Sequence, residues 1–135
     1  MEFRYWRHDP CNWSGFNGIR GNAVSTGQRS IAMGASSSSV GQYSMALGRY
    51  ANSGGDYSIA QGDKSNAAGL NAIAVGRSSS AAGEKATALG NAAKATEIMR
   101  IALGDSANAS KAYSMALVAS SVASEENAIT LGRSS

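Results

Sequence analysis

Large aliphatic residues recur along the chain in alternating pairs, each pair fourteen residues after the last. They are Ile31 and Met33, Met45 and Leu47, Ile59 and Gln61, Ile73 and Val75, Thr87 and Leu89, Ile101 and Leu103, Met115 and Leu117, and Ile129 and Leu131. Fourteen of these sixteen positions are apolar; Gln61 and Thr87 interrupt them. Between the members of each pair stands a small residue: Ala32, Ala46, Ala60, Ala74, Ala88, Ala102, Ala116 or Thr130. Side chains alternate across an extended backbone, so this pattern predicts a short strand with one aliphatic and one small-residue face. A second strand is predicted in the other half of each unit. There the small residues Ser25, Ser39, Ser53, Ala67, Ala81, Ala95, Ala109 and Ala123 follow the polar column Ser38, Asn52, Asn66, Ser80, Lys94 and Asn108.

Glycines punctuate the strands. One column is Gly34, Gly48, Gly62, Gly76, Gly90, Gly104 and Gly132, with Val118 in the remaining slot. A second, halfway through the unit, is Gly27, Gly41, Gly55, Gly69 and Gly83, replaced later by Glu97, Lys111 and Glu125. Glycine reaches positive φ without steric cost, so both columns are expected to be turns, and turns at the four replaced positions are expected to differ. A helix is excluded, because glycine every seven residues costs about 1 kcal/mol each time. Eight units from Gly21 to Gly132, without insertion or deletion, therefore predict an all-β parallel solenoid with two strands per coil and rungs about 4.8 Å apart.

A half-coil of seven residues encloses a lumen too narrow for leucine, which places Ala and Ser inside and the aliphatic columns outside. The other arrangement, with the aliphatic pairs as an internal core, suits wider solenoids. Aliphatic columns on the outside make a stripe larger than a soluble monomer normally exposes. Covering it is worth up to about 20–40 kcal/mol per chain, at about 1.5–3 kcal/mol per buried side chain. Copies of the same chain in register are the simplest cover. The expected interface is Ile31, Met33, Met45, Leu47, Ile59, Gln61, Ile73, Val75, Leu89, Ile101, Leu103, Met115, Leu117, Ile129 and Leu131. The expected ligand face is the polar side: Tyr50, Asn52, Lys64, Asn66, Lys94 and Asn108. Arg100 falls in an inward column of Ser and Ala. Its guanidinium is not expected in the lumen, so a local distortion, or an escape toward the turn at Thr96 to Arg100, is predicted.

The strings NAIAVG (Asn71 to Gly76), YSMALG (Tyr43 to Gly48) and NAITLG (Asn127 to Gly132), each inside a fourteen-residue unit, resemble the head repeats of YadA-like trimeric autotransporter adhesins. That resemblance implies a single-stranded left-handed parallel β-roll assembled as a parallel homotrimer. It also implies display on a bacterial outer membrane, with attachment to host matrix proteins or cell-surface receptors, or self-association between bacteria. A trimeric shaft of a phage tail fibre or spike is the alternative, separable by the flanking sequence. An ice-binding solenoid needs a flat array of threonine pairs, which Thr26, Thr87, Thr96 and Thr130 do not form.

Composition supports a rod over a globule. Only 7% of the chain is aromatic, so a thick core would be poorly filled. The net charge is +3, but the cations are spread evenly, which argues against a nucleic-acid site. Arg49, Asp63 and Arg77 share a column and are expected to form a ladder of ion pairs. The lone Cys11 excludes an internal disulfide framework and any zinc-ligand spacing. No apolar run is long enough for a membrane helix, and Arg4, Arg7, Asp9 and Arg20 occupy the place of a signal peptide's apolar segment. Any membrane attachment therefore depends on parts outside this sequence.

His8 is the only histidine, the nine carboxylates are scattered, and neither a GxxxxGK[ST] loop nor a calcium-binding nonapeptide occurs. No enzymatic activity, cofactor or metal is expected. Residues 1–20 do not repeat and hold Phe3, Tyr5, Trp6, Trp13 and Phe16. They read as a cap on the solenoid, as sequence introduced in cloning, or as an aromatic binding patch. Residues 133–135 begin a further repeat or a tail.

Overall fold

The computed structural model describes residues 21–132 and, for the backbone alone, Gly18 and Ile19. Two parallel sheets run the length of the described chain. The first has nine strands in sequential order, from Gly18–Ile19 through Ile31–Met33 and its equivalents to Ile129–Thr130. The second has eight two-residue strands, from Val24–Ser25 to Val122–Ala123. Every neighbouring pair is in register at fourteen residues, as in Ile59↔Ile73 and Asn52↔Asn66. Each coil contributes one strand to each sheet. Gly18–Ile19 pairs with Ala32 and Met33, carrying the first sheet upstream of Gly21. The proposed cap, the aromatic residues that suggested it and the 133–135 tail lie outside the described residues.

The interior is the small-residue set. From Ala23 to Ala123 the inward residues of both sheets are buried; Ala128 and Thr130, in the last coil, are half-buried. The aliphatic columns lie outside, so the arrangement with an internal Ile and Leu core is excluded. Buried serines are satisfied within their coil. Ser53 Oγ lies 2.7 Å from Ser58 Oγ, and Ser37 Oγ donates to Gly34 O at 2.8 Å. A hydroxyl that meets its own corner carbonyl costs little in an apolar lumen, which is why Ser and Ala interchange there.

The two glycine columns do different work, which corrects the expectation that both supply positive φ. Gly34, Gly48, Gly62, Gly76, Gly90 and Gly104 do have φ of 127–138°. The halfway glycines do not; they are needed for close approach, because a Cβ on Gly41, Gly55 or Gly69 would overlap the carbonyl of the next rung. In both corners the left-handed residue is a non-glycine two positions later, such as Arg29, Tyr43, Tyr57, Asn71 and Lys85 at 54–56°. That conformation costs about 1–2 kcal/mol in general. Here it lets the amide donate to the preceding rung, as in Tyr57 N–H to Gln42 O at 2.7 Å.

Two departures run against expectation. Val118 adopts φ 136°, the glycine conformation, and its turn keeps the regular bonds, Ser121 N–H to Val118 O at 3.1 Å among them. The turn is therefore not remodelled; the residue bears the strain. In the following rung the pairing stops at Ala116↔Thr130, where earlier rungs pair a third residue. Val118→Gly is expected to stabilise the fold by about 1–3 kcal/mol, the usual cost of a residue held in such a region. A thermal melt followed by circular dichroism checks this; an unchanged or lower midpoint would mean that the strain is absent.

Arg100 is the second. Its side chain is fully buried, so the guanidinium does enter the interior, contrary to expectation, although it reaches the predicted turn. Nη1 donates to Thr96 Oγ1 at 3.2 Å and to Ala109 O at 2.9 Å. The Ala109 carbonyl is the equivalent of one that accepts a backbone amide in other rungs, as Ala67 O accepts from Gly54. Nη2 forms an ion pair with Glu97 Oε2 at 2.6 Å, and Nε has no hydrogen-bond partner among the described residues. The neighbouring rung is stretched: Tyr113 N–H to Ile98 O is 3.3 Å, where Tyr57 N–H to Gln42 O is 2.7 Å.

Candidate association surface and polar outer face

The aliphatic sheet presents its residues outward on three-residue strands. Ile31, Met45, Ile59, Ile73, Ile101 and Met115 are half-buried, as are Leu47, Val75, Leu103 and Leu117. Met33, Gln61 and Leu89 are exposed, and Ile129 and Leu131 in the last coil are more so, at 65% and 72%. Fourteen of the fifteen expected interface residues lie on the strands of this one sheet; Leu131 follows directly after its last strand. Gln61 sits among them, between Leu47 and Val75 in register, with no side-chain hydrogen bond among the described residues.

The polar sheet faces the other way. Asn52, Asn66 and Asn108 are half-buried and Lys94 is exposed; Asn52 Nδ2 donates to Asn66 Oδ1 at 2.8 Å. Tyr50 and Lys64 are not on this sheet. They occupy the left-handed positions of the corner that follows the aliphatic strand, with φ of 55° and 58°. The polar strands are only two residues long, so the chain is still turning at those positions.

The same corner carries a polar ladder. Arg49 Nε lies 2.8 Å from Asp63 Oδ1, and the guanidinium holds the Asp63 carboxyl below the usual carboxylate range, chiefly through that hydrogen bond. The expected continuation from Asp63 to Arg77 is not made. Arg77 turns to the next rung, where Nε donates to Asn91 Oδ1 at 3.1 Å and Asn91 Nδ2 donates to Asp105 Oδ1 at 2.7 Å. These exposed contacts are screened by solvent and favour register more than stability.

The opposite corner holds a feature that sequence reading missed. The rings of Tyr43 and Tyr57 stack with centroids 5.1 Å apart and planes 3° from parallel, and Arg29 lies 5.6 Å from the Tyr43 centroid. The fourteen-residue spacing of Arg29, Tyr43 and Tyr57 was the signal that would have found it. Among the described residues no group of three or more metal-ligating side chains occurs, and no helix is long and apolar enough to cross a membrane.

Stacked coils lined with Ala and Ser, apolar on one side and polar on the other, define a repeat rod. Residues 25–51, 53–79, 81–97 and 101–117 match the family model of the YadA head domain repeat, which spans two copies. The match covers more than half of the chain, and the chain belongs to that family, as a YadA-like head domain of a trimeric autotransporter adhesin. It breaks between Glu97 and Ile101, where Arg100 enters the lumen, and stops at Leu117, one residue before Val118. No curated protein matches the chain.

Proposed function

We propose that the chain is a non-enzymatic adhesive rod of three parallel copies, packed with their aliphatic sheets toward a common axis and displayed at a bacterial outer membrane. The observation that carries this reading is the double aliphatic column on the outside of a coil whose lumen is already filled. With the apolar side covered, the polar sheet and the corner bearing Tyr50 and Lys64 remain for a ligand. Equivalent residues there repeat at about 4.8 Å, which suits many weak contacts with an extended partner such as a matrix protein or an elongated receptor. Affinity then accumulates over rungs and over three chains. Replacing Tyr50, Lys64 and Lys94 together with serine is expected to leave the melting temperature unchanged and to reduce attachment of coated beads to matrix proteins at least several-fold. Undiminished attachment would remove the ligand from this face.

A further inference from the structure

Apolar exposure beyond the aliphatic sheet is concentrated on one corner. Tyr43, Tyr57, Tyr113, Leu70, Ile98 and Met99 are all exposed on the corner that leads into that sheet. Among the described residues, the corner that leaves it has only Tyr50 and Val118 as large exposed apolar residues and carries the polar ladder instead. The first corner is continuous with the aliphatic columns, Tyr57 being two residues before Ile59. Exposure within the sheet is lopsided too. The near column is half-buried from Ile31 to Met115, whereas Met33, Gln61 and Leu89 of the far column are exposed.

The sheet by itself is a narrow strip that two neighbours would share. Three residues at about 3.3 Å make a face about 10 Å wide, and eight rungs at about 4.8 Å make it about 38 Å long. That is about 400 Å² in projection, and the accessible surface of its protruding side chains, which is larger, would be divided between two neighbours, whereas a standard stable contact buries about 800 Å² of accessible surface per partner. A contact that extends around a corner buries more, and among the described residues the large exposed apolar side chains gather at this corner, interspersed with Arg29, Asp56, Lys85 and Lys111. Tyr43 and Tyr57 are also held in place by stacking and by Arg29, whose Nη1 lies 3.3 Å from the Tyr43 hydroxyl, so docking them loses little side-chain entropy.

We propose that this tyrosine-bearing corner of one copy docks on the far aliphatic column of the next, the column of Met33, Leu47, Gln61, Val75 and Leu89. Each copy then uses two different patches, a head-to-tail contact that closes into a ring. The inference rests on the assembly proposed above and adds which edge each copy buries.

The test is modification of single cysteines by a maleimide–polyethylene glycol reagent in the full chain, with Cys11→Ser as background. Tyr57→Cys reports the docked corner and Lys94→Cys the polar sheet. In the assembled protein Tyr57→Cys is expected to react at least tenfold more slowly than Lys94→Cys, with the two equal in denaturant. Equal rates in a protein that sediments as an oligomer would overturn the docked corner and leave the assembly standing. A folded wild-type monomer at micromolar concentration would overturn both. If Tyr57→Cys fails to assemble, Tyr113→Cys, on the same corner, gives the same reading.

Discussion

Replacing Ile73 with aspartate is expected to abolish assembly. Ile73 lies mid-rod on the aliphatic face, paired in register with Ile59 and Thr87, so every copy would bring a carboxylate to the same level of the shared axis. Unpaired buried charge costs several kcal/mol per group, and copies meeting at one level add mutual repulsion. Sedimentation should show monomer or unfolded chain, while Ser80→Asp, on the polar sheet, assembles as the wild type does. An Ile73→Asp protein with unchanged mass and melting temperature would place the aliphatic columns in solvent, contrary to the assembly proposed.

Two adjacent glycines give the second large effect. At Gly55 a Cβ would overlap the backbone carbonyl of Gly69, and no flexible side chain can move aside. At Gly54 the nearest atom to a Cβ is Ala68 Cα at 3.9 Å, an ordinary contact. Gly55→Ala is therefore expected to destabilise by about 2–3 kcal/mol, toward the top of the range for overpacking, while Gly54→Ala is near neutral. Chemical denaturation of both variants decides it. Equal stability would mean that the coils separate easily enough to take a Cβ. The chain itself hints at the cost, because the corners where Glu97 and Lys111 replace glycine are followed by the stretched amide bonds of Tyr113 and Asn127, each 3.3 Å.

The coil stack was legible because a strict fourteen-residue spacing fixes which residues lie above one another, and alternation then fixes the face of each strand residue. Ala74 inside and Ile73 outside follow from those two facts alone. Backbone angles do not follow from spacing. Gly55 and Tyr57 share a corner, yet the tyrosine holds the left-handed conformation and the glycine makes room for the next rung. Arg100 was misjudged because lumen width was inferred from its neighbours, whereas an end group that reaches the corner beside Glu97 needs little of that width. Val118 keeps the regular turn despite its steric cost because the bonds of the surrounding rungs hold it in place. Tyr50 and Lys64, grouped with the polar face, lie on the corner instead because the polar strands are only two residues long.

The most direct measurement is the mass of the wild-type chain in solution by sedimentation equilibrium at micromolar concentration, with circular dichroism on the same sample. A mass of three chains with a β-sheet spectrum is predicted, since the lumen is already filled and the aliphatic columns have no cover among the described residues. A monomer of one chain mass with the same spectrum and a cooperative melt would contradict it.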